Sequence, residues 1–193
     1  MKFSTIILDI REQNVFFTSD THFNHKNVNE YCGRPFESIE EMDQAIIDNW
    51  NSVVRPKDII FHAGDFCFGS KSSWHEYLNQ LNGIKYLAAG NHDLNITPDR
   101  FKDVKQIFNI RIIGDDEPDS TGQRITIGHY PMISWYQSHR GSWNLFGHAH
   151  GLLSNNKKLS PNQLDVGVDV HNFKPISYDE VKIIITKQNM KIV

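Results

Sequence analysis

Two cysteines, Cys32 and Cys67, are all the thiol this 193-residue chain contains. Two thiols make no disulfide framework, so a reducing cytoplasm is the simpler compartment. Cys67 reads as a small packed side chain rather than a thiol open to oxidation. Basic excess is also missing, since 20 Lys and Arg stand against 23 Asp and Glu for a formal charge of −3. A surface that tracks nucleic-acid phosphates usually carries a clear positive excess, so strong duplex binding is not expected. No stretch approaches the ~20 apolar residues of a membrane span. The opening Met1 to Asp9 is interrupted by charge before a secretory core could form, and no membrane partner is expected. Internal repeats and low-complexity tracts are absent. What is left, 39% hydrophobic and 11% aromatic residues, suits one globular domain over residues 1–193.

Five short polar blocks, each closing an apolar run, carry the chemistry: Asp20-Thr21-His22, Gly64-Asp65, Gly90-Asn91-His92-Asp93, Gly128-His129 and Gly147-His148-Ala149-His150. The runs before them, such as Val15-Phe16-Phe17, Ile59-Ile60-Phe61 and Ile125-Thr126-Ile127, read as buried strands. Glycine at a strand end lets the backbone turn sharply and approach a ligand, delivering the next polar side chain at the strand's carboxyl edge. Five strand ends are therefore expected to converge on one pocket. Asp20, His22, Asp65, Asn91, His129, His148 and His150 offer imidazole and oxygen donors without a thiolate. That set suits Mn, Fe, Zn, Co or Ni, with Mn foremost, over Ca or Mg. The donors are too many for one tetrahedral ion and fit two divalent ions sharing a carboxylate, the arrangement that clamps attacking and leaving oxygens at phosphorus.

In this order the blocks resemble the DxH, GD, GNH, GH and GHxH motifs of the calcineurin-like metallophosphoesterases, from Phe16 to about Gly151. A lone GD or GH is uninformative, whereas all five in order are highly specific. The resemblance implies that Asp20, His22 and His150 hold one ion, Asn91, His129 and His148 the other, with Asp65 bridging. It makes His92 the catalytic histidine that protonates the leaving oxygen. Asp93 either orients His92 or merely ends its loop. The nucleophile it implies is a hydroxide bridging both ions, since metal binding lowers the pKa of water from 15.7 to roughly 7.

Other histidines read differently. His62, inside a strand, is expected to pack near the ligands without being one; His75 lies on a helix surface, and His171 is placed outside the site. Two loops are expected to choose the substrate. The first, from Phe23 to Phe36, could bring His25, Lys26 or Arg34 to a bound phosphate. The second, Pro131 to Trp143, offers Trp135 and Tyr136 for stacking on a base and Arg140 for a phosphate. The alternative for Trp135, Tyr136 and Trp143 is that they anchor their loop on the core, and the sequence leaves both open.

Departures from better-known branches of that family narrow the activity. Its protein serine/threonine phosphatases carry an arginine soon after the GD block and a glutamate after GNH. Here Phe66-Cys67-Phe68-Gly69-Ser70 follows Asp65, and Asp93 takes the other place. Its DNA-repair nucleases usually add a capping domain after the last motif, for which residues 152–193 leave little room. The expected activity is a phosphodiesterase on nucleotide-type or other small diesters. The rivals are a small-molecule phosphomonoesterase, a small nuclease and a non-catalytic metal-binding scaffold, although scaffolds of this kind generally lose ligands that are all present here.

Strands are expected at 3–9, 14–19, 58–62, 84–88, 106–113, 123–128, 143–147 and 164–168, with an acidic turn, Asp115 to Asp119, joining the middle pair. A helix opens at Ser38, with Glu41 completing a capping box, and places Met42, Ala45, Ile46 and Trp50 at helical spacing. Another covers 72–81. Ser177 to Glu180 caps a short helix or turn before the apolar run Val181 to Thr186. Strands and helices alternate and then give way to strands, which predicts two packed sheets flanked by helices. The resemblance implies the same α/β class, a four-layer αββα sandwich of two mixed β-sheets.

Overall fold

A computed structural model describes residues 5–93, 96, 98–114, 122–153, 156 and 158–191. The chain runs β1 (Thr5–Asp9), β2 (Val15–Thr18), α1 (Val28–Cys32), α2 (Ile39–Val53), β3 (Ile59–His62), α3 (Lys71–Gln80) and β4 (Ile84–Ala88). It continues through β5 (Asp103–Lys105), β6 (Ile107–Ile113), β7 (Gln123–Gly128), β8 (Trp143–Phe146), β9 (Gln163–Asp165), β10 (Ile176–Ser177) and α4 (Tyr178–Met190).

The strands form two five-stranded sheets, one ordered β10-β2-β3-β4-β5 and the other β1-β6-β7-β8-β9. In the first, β2 to β5 are parallel and only β10 runs against them. In the second, β6 and β7 are antiparallel while β7, β8 and β9 are parallel. Side chains alternate across a strand, and here each face has a partner. Val15, Phe17, Ile59, Phe61, Tyr86 and Ala88 meet Phe108, Ile110, Ile125, Ile127 and Leu145 of the facing sheet. Their neighbours Phe16, Ile60 and Leu87 turn the other way, onto Met42, Ile46 and Trp50 of α2 and Trp74 and Leu78 of α3. Continuous apolar runs, buried on both faces, are what such strands need.

The two mixed sheets with flanking helices are the architecture that the motif order implied, and the local signals account for most of it. At α2 the Ser38 side chain accepts from the Glu41 amide at 3.1 Å, but the Glu41 carboxylate accepts from the Glu37 amide rather than from Ser38, so the box is offset by one residue. Further features differ from expectation. A short helix, α1, occupies what read as loop; it ends at Gly33, whose left-handed φ of 63° turns the chain back toward the core. The short strand β5 adds an edge to the first sheet. The apolar run from Val181 lies inside α4, because Ser177 and Glu180 form a complete capping box and Val181 and Ile185, one turn apart, both enter the core between the sheets. The turn at Asp115 to Asp119 and residues 3–4 of the first expected strand lie outside the described residues. Among the described residues no helix is long and apolar enough to cross a membrane.

Candidate active site

Parallel pairing places the carboxyl ends of β2, β3 and β4 side by side, and β7 and β8 end on the same rim. The loops leaving these strands are joined by main-chain bonds. The amides of Asp20, His22 and Phe23 donate to the carbonyls of Gly64, Asp65 and Phe66 at 2.9–3.0 Å, and the Gly147 amide donates to the His129 carbonyl at 3.0 Å. The turns are tight. Asp20, His22, Asp65, His148 and His150 have φ between 45° and 67°. Left-handed backbone costs an L-residue about 1–2 kcal/mol. Asp and His tolerate it better than most, and such outliers persist where the surroundings over-determine them. Gly64, at φ 102°, has no room for a side chain, since a Cβ there would stand 2.5 Å from His129 Nδ1.

The seven expected ligands come together in two groups. Ligand atoms of Asp20, His22 and His150 lie within 4.8 Å of one another, as do those of Asp65, His129 and His148. Asp65 stands between them, with Oδ2 3.6 Å from His22 Nε2 and 3.4 Å from His129 Nε2. Asn91 Oδ1 is 3.0 Å from His129 Nε2 and accepts from the Tyr130 hydroxyl at 3.1 Å. His129 uses its other nitrogen, Nδ1, on the Ala63 carbonyl at 2.8 Å, which aims Nε2 at the group. The first group is enclosed, while Asn91 and His148 are exposed and make the open side.

The electrostatics fit a cationic occupant. Asp20 is fully buried, and burial pushes its carboxyl up to about 7 against the pull of His150 and His129. Burial holds His22 down to about 2, so its imidazole is neutral, and its buried Nε2 has no hydrogen-bond partner. Burial opposes ionisation of Asp65 as well, but the bonds from His129 and the His92 amide hold its carboxyl below the usual range. A buried ring nitrogen without a hydrogen-bond partner, beside two carboxylates, is costly unless a bound group satisfies it. These residues suit divalent ions that take nitrogen and oxygen ligands.

Gly147 offers a test of how tightly the first group is built. A Cβ at this position would collide with Ser19 Oγ and press on Asp20 Oδ2. Gly147→Ala is expected to keep the far-UV spectrum of the fold but to hold less divalent metal, as elemental analysis after manganese loading would show. Unchanged metal content would mean that Asp20 has slack.

The remaining expected residues take varied places. The His92 ring belongs to neither group; its centroid lies 5.4 Å from His22, 6.0 Å from His25 and 5.6 Å from Phe68. Its amide donates to Asp65 Oδ1 at 2.9 Å. Among the described residues the Asp93 carboxylate makes no hydrogen bond to the His92 ring. Its two carboxylate oxygens accept from the amides of Gly90, Asp65 and Phe66 at 2.7–2.9 Å, so it shapes the loop that carries Asp65. Arg34, expected at a bound phosphate, is buried instead, with its donors on Asp169, the Asp20 and Thr21 carbonyls and Met42 Sδ. His62 bonds the Thr21 hydroxyl and the Gly64 amide, and burial keeps it neutral, down to about 3. Cys67 is buried, and burial raises its thiol far above the usual range. His75 faces Asp99 at 3.6 Å, and His171 faces the Asp165 carbonyl at 2.8 Å.

In the second loop the Trp135 indole donates to the Ser142 carbonyl at 2.9 Å, and Trp143 stacks on Tyr178 in the core, so these two rings serve as anchors. Tyr136 and Arg140 are exposed. Partly exposed aromatic rings that pack on the site histidines include Phe68 and Tyr130, neither of them expected there. Phe68 is 43% exposed and packs on His25 at 4.6 Å, while Tyr130 is 49% exposed and packs on His148 at 4.6 Å. Adjacency to the GD and GH blocks was the available signal for both.

The five blocks lie within residues 14–161, the stretch that matches the family model for calcineurin-like phosphoesterases. Over 178 residues the chain is 34% identical to an uncharacterized protein of Methanocaldococcus jannaschii, covering 90% of this chain and 92% of that one. It is 26% identical to the gene 66 protein of Mycobacterium phage L5, covering 87% of this chain and 92% of the phage protein. A solved Aquifex aeolicus protein of unknown function shares the fold with a TM-score of 0.68 at 23% identity, covering 89% of this chain and 99% of that one. With its motifs in order, its ligand side chains gathered on one rim and the model matched along most of its length, the chain belongs to the calcineurin-like phosphoesterase family.

Proposed function

We propose that this phosphoesterase hydrolyses phosphodiesters of nucleotide or other small-diester type at a centre of two divalent ions, manganese foremost. Asp20, His22 and His150 would hold one ion, Asn91, His129 and His148 the other, and Asp65 both. When bound, such ions supply an activated water and neutralise charge at phosphorus. His92 donates the proton to the leaving oxygen; His25 and Phe68 hold its ring from two sides.

The observation that carries the diester reading is the internal commitment of Arg34. A monoester dianion calls for positive charge beyond the two ions, and the best-placed guanidinium is spent on Asp169 and two carbonyls. Burial lowers the pKa of His25, which disfavours a positive charge on its ring. A diester brings one negative charge and a second organic arm, for which Phe68 and Tyr130 present partly exposed rings on either side of the histidines. Base stacking on an aromatic face is worth about 1–3 kcal/mol.

The expected result is a higher kcat/KM for bis(p-nitrophenyl) phosphate than for p-nitrophenyl phosphate with manganese present. Tyr130→Ala and Phe68→Ala should each raise KM for a nucleotide diester roughly 5- to 150-fold, following that stacking energy. Tyr130→Phe, which keeps the ring, should leave KM nearly unchanged. A strong monoester preference that Arg140→Ala abolishes would move the enzyme to the phosphatase reading.

A further inference from the structure

Asp169 lies outside all five motif blocks, in the turn Val168–Val170 after β9. Its side chain is 9% exposed and stands between two partners. One oxygen, Oδ2, is 2.7 Å from His150 Nδ1. Both oxygens take the fork of Arg34, Nε to Oδ1 at 2.8 Å and Nη2 to Oδ2 at 2.9 Å. Arg34 in turn donates to the main-chain carbonyls of Asp20 at 2.7 Å and Thr21 at 3.1 Å. Its side chain is fully buried.

We propose that Asp169, locked by Arg34, is a positioning residue that fixes the ring and tautomer of His150 for the ion shared with Asp20 and His22. This rests on the metal-centre reading above. A carboxylate at Nδ1 draws the ring proton there and leaves the Nε2 lone pair for a cation, the usual division of labour for a ligating histidine. A single hydrogen bond would leave the carboxylate free to rotate. The planar guanidinium fork removes that freedom, because two parallel bonds set direction as well as distance. Through the carbonyls of Asp20 and Thr21 the same arginine ties the first block to the last, so two ligands from opposite ends of the motif series share one anchor. Cys32 Sγ also lies 3.4 Å from His150 Nδ1, a weaker contact on the same nitrogen.

Manganese titration by calorimetry and cobalt(II) titration followed by visible absorption test this on the full chain. The wild type should take up two equivalents. Asp169→Asn, close in shape, should weaken one equivalent by about 10- to 100-fold and shift its cobalt spectrum, with the other equivalent unchanged. Arg34→Lys keeps the charge without the fork and should weaken the same equivalent less. A structural role alone would lower the melting temperature and weaken both equivalents together, and that result overturns the proposal. So does wild-type affinity in Asp169→Asn. A wild type that binds no ion would overturn the metal centre itself, and this proposal with it.

Discussion

Asp65→Asn should cost more metal and more turnover than any neighbouring change, beyond the 10- to 100-fold typical of losing a residue that only supports a ligand. The reason is position. Asp65 is the carboxylate between the two groups, within 3.6 Å of His22 Nε2 and 3.4 Å of His129 Nε2. Its amide and that of Phe66 are held by Asp93, so the loop keeps its shape when the side chain changes. His62→Asn is the control: His62 is as deeply buried, but among the described residues its ring bonds Thr21 and Gly64 and belongs to neither ligand group. Elemental analysis after manganese loading should find ions depleted in the first variant and nearly retained in the second. Equal depletion would mean that the shell has been drawn around the wrong carboxylate.

The second large effect belongs to His92. Its ring lies in neither ligand group, while its amide supports Asp65, a bond that a side-chain substitution leaves in place. His92→Asn is therefore expected to keep both ions and lose turnover by about 10²–10⁴-fold, the range of general acid catalysis. The loss should shrink for nitrophenolate leaving groups, which need little protonation, and grow for alkoxide leaving groups. Comparing kcat over a series of leaving groups in wild type and variant measures this. A uniform loss, or loss of an ion, would assign His92 to binding.

Much of this was legible in the sequence because the signals were local. Apolar runs closed by glycine and a donor predicted buried strands ending at a shared pocket, and parallel pairing brings those ends together. The helix at Ser38 followed from a cap and a four-residue spacing. What stayed hidden depends on contacts distant in sequence. Arg34 reads as a phosphate ligand because it follows the first block, yet its partner Asp169 is 135 residues away and only the fold unites them. Asp93 sits beside His92 in sequence but reaches three amides across the loop. In sequence Trp135 and Tyr136 suit either base stacking or loop anchoring; Trp135 is an anchor, and Phe68 and Tyr130 lie beside the histidines. The apolar run of α4 has strand-like residues, and its capping box decided for helix.

The measurement that bears most directly on the central claim is activity as a function of metal occupancy. Metal-free protein is titrated with manganese while hydrolysis of bis(p-nitrophenyl) phosphate is followed, and bound ion is counted at each step. The account predicts little turnover up to one equivalent and a rise as the second fills, with Asp65→Asn flat throughout. Full activity at one equivalent, or none with two ions bound, would contradict it.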